Sequence, residues 1–203
     1  DWPSLAQVLP RLEKLGRVKQ ETLDEWAIRV RTESFANAAD GDAVAAEWKA
    51  VPRRLKGEIA VLEAYYNALM RVGLHAQAEK ELAAALKSEW RAPLVRLYGR
   101  VEGPDTTKQL KRAETWLARH GEDADLLLAA ARLCLRNELW GKARSYLETV
   151  IALRPTPEAY QEYGRLLTQL GETDAAADAY RDGLGMAARS SLRAIPHLDP
   201  DAA

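Results

Sequence analysis

The chain repeats itself. Three segments, residues 59–90, 124–155 and 157–188, align without a gap. The second half of each opens on a small residue, Ala78, Ala143 and Ala176. Four positions on stand Leu82, Leu147 and Tyr180, and four beyond that Leu86, Ile151 and Leu184. A degenerate copy at 92–122 keeps Tyr98-Gly99 in its first half and Ala113 and Leu117 in its second, around a longer turn at Gly103-Pro104-Asp105. Segment starts thus fall at 59, 92, 124 and 157, in steps of 33, 32 and 33 residues. A fifth, weaker copy covers about 26–58, with Gly41 in its turn and Ala46 in the small-residue place. A unit this short cannot bury its apolar side alone, so it must stack on its neighbours.

What each unit is made of follows from composition. Ala, Leu, Glu, Arg and Lys dominate and favour helix, while β-branched residues are scattered and nothing alternates apolar and polar for long. The class is therefore all-α, and the unit is a pair of helices. Gly73 and Gly171 supply turns between the two, and Pro155 stands where a helix must stop. Small residues let paired helices approach while larger ones fill the space between pairs. Trp26, Trp48, Trp116 and Trp140 suit that filling role; the alternative is a stacking platform for bases or sugars. Trp2 and Trp90 lie near segment ends and take no obvious place.

This period with these landmarks is similar to the tetratricopeptide signature. The likeness implies helical hairpins stacked in a right-handed superhelix, as one repeat domain over residues 1–188. A further helix at about 3–16, bent by Pro10, precedes the repeats. Residues 189–203 contain Pro196 and Pro200 and read as a flexible tail.

Several functions are disfavoured by what the chain lacks. A net charge of −1 creates no global field for nucleic acid, so no nucleic-acid partner is expected. The single cysteine, Cys134, excludes an internal disulfide and a thiolate zinc cage, and its place between Leu133 and Leu135 suits a small core hydrophobe. No run of 18 apolar residues occurs. His75, His120 and His197 fall in a turn, at a helix end and in the tail, a poor arrangement for haem or metal ligation. No catalytic constellation, cofactor site or Gly-rich dinucleotide fingerprint is legible, so the expectation is a protein that is not an enzyme.

A narrower likeness lies in the stretches EWKAVPRRL (47–55), KSEWRAPLVRLYG (87–99) and the region from Gln109 to Leu170. The last contains WLARHGEDADLLLAAARLCLRNELWGKARSYLE and RPTPEAYQEYGRLL. Together they resemble the C-terminal repeat region of the proteobacterial HemY family, over about residues 5 to 188. The run from RLCLRN through WGKAR is the most specific part, since a general repeat consensus does not demand Arg136-Asn137 or Gly141-Lys142. The resemblance implies a protein associated with late haem biosynthesis and held at the bacterial inner membrane, the cytoplasmic face favoured, by an N-terminal pair of transmembrane helices outside this chain.

In tetratricopeptide arrays the first helix of each pair lines the concave surface, chiefly through its second, fifth, ninth, twelfth and thirteenth positions. The ninth position here gives Asn67, Arg100, Arg132 and Arg165; the thirteenth adds Arg71 and Arg136, and the fifth Arg96. Arginine presents a planar fork of donors that binds carboxylates in bidentate fashion, and asparagine grips peptide backbone. The expectation is a partner-binding stripe with its heads open to solvent. The alternative is that the arginines pair with Glu63, Asp125, Glu158 and Glu162. The leading functional expectation is a membrane-tethered scaffold that docks acidic or carboxylate-bearing protein partners, late haem-pathway enzymes among them. A porphyrin or haem carrier is the second, limited by the small apolar surface that Met70, Leu128 and Leu135 offer. A general assembly adaptor unrelated to haem is the third.

Overall fold

A computed structural model describes residues 2–193, and among them it contains eleven α-helices and no strand. They are α1 (Trp2–Leu15), α2 (Gln20–Asn37), α3 (Gly41–Ala50), α4 (Ile59–Arg71), α5 (His75–Ser88) and α6 (Ala92–Arg100), followed by α7 (Thr106–His120), α8 (Ala124–Arg136), α9 (Trp140–Leu153), α10 (Pro157–Gln169) and α11 (Thr173–Arg193). The fold is all-α, built of helical hairpins of the tetratricopeptide type. The chain divides into two compact units, Asp1–Pro104 and Asp105–Ala203, with the division inside the long turn of the degenerate copy. In the first unit α1 packs on α2, α2 on α3 and α4, and α4 on α5 and α6. In the second α8 packs on α7 and α9, and α10 on α9 and α11.

Short side chains with oxygen acceptors start many of the helices. Asp40, Asp105 and Asp123 accept from the backbone N–H groups of Ala43, Lys108 and Leu126, and Thr156 accepts from Ala159 ahead of Pro157. Each satisfies a donor that the first helical turn leaves unpaired. The first helices of the three well-kept repeats end alike. Leu74 donates to Leu69, Leu139 to Cys134 and Glu172 to Leu167, at 2.8, 2.9 and 2.9 Å. The residue before each donor is left-handed, with φ of +80° at Gly73, +57° at Glu138 and +77° at Gly171. Glycine takes that conformation freely, and Glu138 takes it under strain.

The small residues sit where the periodicity predicts. Ala78, Ala113 and Ala143 are fully buried and Ala176 nearly so. The weak first copy is the exception, because Ala46 is exposed and Val44 two residues earlier is buried instead. Close approach there belongs to Gly41, where an added Cβ would lie 2.9 Å from Leu74 Cδ1. The tryptophan reading holds for Trp48, which stacks on Tyr65 with ring centroids 4.2 Å apart, and for buried Trp116. Trp2 takes a place the periodicity did not supply, beneath the Arg29 guanidinium at 5.8 Å.

The expected first helix is present as α1, with Pro10, which has no N–H to donate, inside it. One expectation about the ends changes: α11 carries on past Arg189 to Arg193, so the start of the expected tail is helix. Ala- and Arg-rich sequence favours that extension, and the next proline comes only at Pro196. The rest of the tail, with His197, lies outside the described residues.

Candidate functional site

Four of the seven candidate residues belong to the first unit. Asn67 projects from α4 and Arg100 from the end of α6, both exposed, while Arg96 is half-buried on α6. Arg71 closes α4, and its Nη2 donates to the Phe35 carbonyl at 2.7 Å. That bond ties α4 to the C-terminal end of α2, where last-turn carbonyls lack helical partners. Part of the Arg71 fork is thereby committed to the fold.

The second unit holds the other three. Arg132 on α8 and Arg165 on α10 occupy the same repeat position, and they meet at one acid. Arg132 Nε donates to Glu162 Oε1 at 2.8 Å, and Arg165 Nη1 to Glu162 Oε2 at 3.0 Å. Glu158 Oε2 lies 3.9 Å from Arg132 Nη2. The Arg132 and Glu162 side chains are only 13% and 10% exposed, whereas that of Arg165 is 65% exposed. The expectation of open heads therefore fails at Arg132, whose side chain is mostly covered and whose Nη1 is packed away from solvent, while the Arg165 head is open. Arg136, at the end of α8, is half-buried. A second acid, Asp125, is almost wholly buried and pairs with Arg154, the residue that caps the C-terminal end of α9 and lies outside the candidate stripe. The pairing alternative thus accounts for Glu158 and Glu162, while Asp125 goes to Arg154 instead, and the pairs leave Arg165 facing water.

The residues that make the sequence run RLCLRN–WGKAR specific have a structural use. Asn137 Nδ2 donates to Leu133 O at 2.7 Å, and its Oδ1 accepts from Thr107 of α7 at 3.0 Å. Lys142 of α9 pairs with Glu114 of α7 at 2.7 Å. The motif bolts α7 onto the α8–α9 turn. Cys134 is wholly buried between these helices, and burial pushes its thiol up to about 12. Such a thiol is not a nucleophile.

In the first unit Phe35, Trp48, Tyr65 and Tyr66 form an aromatic cluster, with Lys56 4.8 Å from the centre of the Trp48 ring. Tyr65 donates to Glu81 at 3.0 Å. Burial, then the charge of Glu81, raises both tyrosines, Tyr66 to about 12. His75 opens α5 rather than standing in a free turn, and its Nδ1 accepts from the Glu102 N–H at 3.2 Å. Among the described residues no group of three His, Cys, Asp or Glu is placed to hold a metal ion, and no helix is long and apolar enough to cross a membrane.

No protein-family model matches the chain, and no curated protein matches it. Among solved structures, a double mutant of MamA (RS-1, ArsTM) is similar with a TM-score of 0.51 at 15% identity, covering 83% of this chain and 97% of that one. Two MamA crystal structures give 0.49 at 17% identity, covering 74% and 90%, and 0.48 at 16%, covering 83% and 96%. At such identities the first likeness shows a shared fold and nothing finer, that of a tetratricopeptide-like α-solenoid.

Proposed function

We propose that this chain is a non-catalytic repeat scaffold that holds an acidic or carboxylate-bearing protein partner on the first helices of its repeats. One observation carries the reading. Glu162, almost buried, accepts from both Arg132 and Arg165, so the Arg165 guanidinium is fixed at one end while most of it faces water. Two cations share that carboxylate, and the remaining donors of Arg165 point outward as a pre-oriented fork for a further acid. Asn67 and Arg100 offer exposed polar groups at the same repeat position in the first unit. Late haem biosynthesis as the setting, and tethering at the inner membrane by a segment outside this chain, rest on the HemY-like sequence run alone.

The test compares capture of proteins from solubilised bacterial membranes by the parent chain and by the variant Arg100→Glu/Arg165→Gln. Glutamine is chosen at 165 so that no new acid stands three residues from Glu162. Supporting results are an unchanged helical spectrum, loss of the captured proteins, and salt-sensitive binding of the purified partner to the parent only. Capture of the same proteins by both would overturn the proposal. Adding haem to the purified chain separates the carrier reading, which requires a stoichiometric shift of the Soret band.

A further inference from the structure

Four charges on α8 and α10 form one line of alternating sign. Glu158 Oε2 lies 3.9 Å from Arg132 Nη2, Arg132 Nε 2.8 Å from Glu162 Oε1, and Glu162 Oε2 3.0 Å from Arg165 Nη1. The inner members, Arg132 and Glu162, are covered, and each has a neighbour of opposite sign on both sides. The outer members are open, Glu158 at 56% and Arg165 at 65% exposure, and each has such a neighbour on one side only. The line is neutral as a whole, but it ends in water with an acid on one side and a base on the other. Glu158 stands in the first turn of α10 and Arg165 roughly two turns on, so both project from one face about 10 Å apart. Gln161, exposed and uncharged, lies between them on that face.

We infer that the segment this site docks is a helix that carries both an acid and a base, roughly two turns apart, the acid on Arg165 and the base on Glu158. The inference rests on the reading of Arg165 as a docking residue and extends that reading to Glu158. A partner carboxylate alone would meet Arg165 with a like charge, Glu158, about 10 Å away, a distance at which salt screens only part of the repulsion. A base set over Glu158 removes that repulsion and gives each end of the line its second neighbour. Complementary charge at both ends also fixes the register of the partner, which one cation cannot do. Spacing selects a helix. An extended strand places side chains of one face about 7 or 13 Å apart, whereas two helical turns separate them by about 10 Å, the spacing of Glu158 and Arg165.

Three alanine-based helical peptides test this by NMR titration of the whole labelled chain. One carries Glu and Lys about two turns apart, one carries them about three turns apart, and one carries Glu alone. The first should bind about fivefold more tightly than either of the others, the size of an exposed ion pair, with shifts along α10. Glu158→Gln should remove that advantage while the acid-only peptide binds as before or more tightly, and Arg165→Gln should weaken all three. Unchanged melting curves show that both variants keep the fold. An acid-only peptide that binds the parent as tightly as the first overturns the inference and leaves the carboxylate reading standing. Equal binding at the two spacings overturns the helical register. Binding that Arg165→Gln does not alter, or no shift on α10 with any peptide, overturns the carboxylate reading and this inference together.

Discussion

Glu138 is the residue at which the repeat departs furthest from its own preference. Its two counterparts are Gly73 and Gly171, and all three carry the same turn with positive φ. A side chain in that conformation costs about 1 kcal/mol or more, part of which glycine gives back through its looser unfolded chain. Glu138→Gly should therefore stabilise the chain by about 0.5–1 kcal/mol, read as a rise in melting temperature. Arg132 behaves in the opposite way. It is the partner of an almost buried carboxylate, so Arg132→Ala should cost about 2–3 kcal/mol in denaturant unfolding, whereas the exposed Arg165→Ala should cost less than about 1. Cys134 gives a test by titration. Burial raises its folded thiol from an ordinary 9.0 to about 12, and Tyr66 rises from 10.0 to about 12. The unfolded chain then releases these protons first, so what these two groups contribute to stability is constant below about pH 9 and is lost as pH climbs towards 12. Native Cys134 should also react with thiol reagents only as fast as the chain opens, and rapid labelling of the folded protein would contradict its burial.

At the scale of elements the turns and small residues decide how closely helices meet. An added Cβ on Gly164 would lie 2.6 Å from the Tyr180 ring, which therefore must swing outward if α10 gains a methyl group. Gly164→Ala should cost about 1–2 kcal/mol in the parent. In a Tyr180→Ala background the same change should be neutral or stabilising by about 1 kcal/mol, since alanine is the better helix former. A double-mutant cycle by chemical denaturation measures that coupling directly. Ala143, wholly buried in α9, has no such escape, so Ala143→Leu should cost about 1–3 kcal/mol. Here the sequence was legible because spacing and side-chain size together mark contact. It misled at Ala46, where the weak first copy keeps the residue type but not its phase.

For the whole molecule the question is which charges remain available to a partner. Listing arginines by repeat position treats them as equals, but three-dimensional pairing separates them. Arg71 reaches the Phe35 carbonyl, Arg132 sinks onto Glu162, and Arg165 is held by the same acid while staying in water. If the exposed members bind a carboxylate partner, the affinity of the parent should fall steeply with added salt, because exposed pairs are screened within about 10 Å at ordinary ionic strength. The Arg100→Glu/Arg165→Gln variant should show weak binding with little further salt dependence, measured by titration calorimetry with the captured partner. The HemY-like run is a caution at this scale, since Asn137 and Lys142 are engaged in holding α7 to the α8–α9 turn.

The amino-acid order by itself determined the helical class, the burial of Ala78, Ala113, Ala143 and Ala176, and the burial of Cys134. Each of these depends on local spacing and on side-chain volume, and both are written along the chain. Tertiary structure alone decided that Glu162 would be shared by arginines from two helices, that Arg154 rather than a stripe arginine would take Asp125, and that α11 would expose Tyr180 and Leu184. Those outcomes depend on which atoms of distant segments arrive within about 3 Å of each other, and on which face has no neighbour to cover it. A periodic sequence states what each repeat can bury; only the packed chain shows where the burying stops.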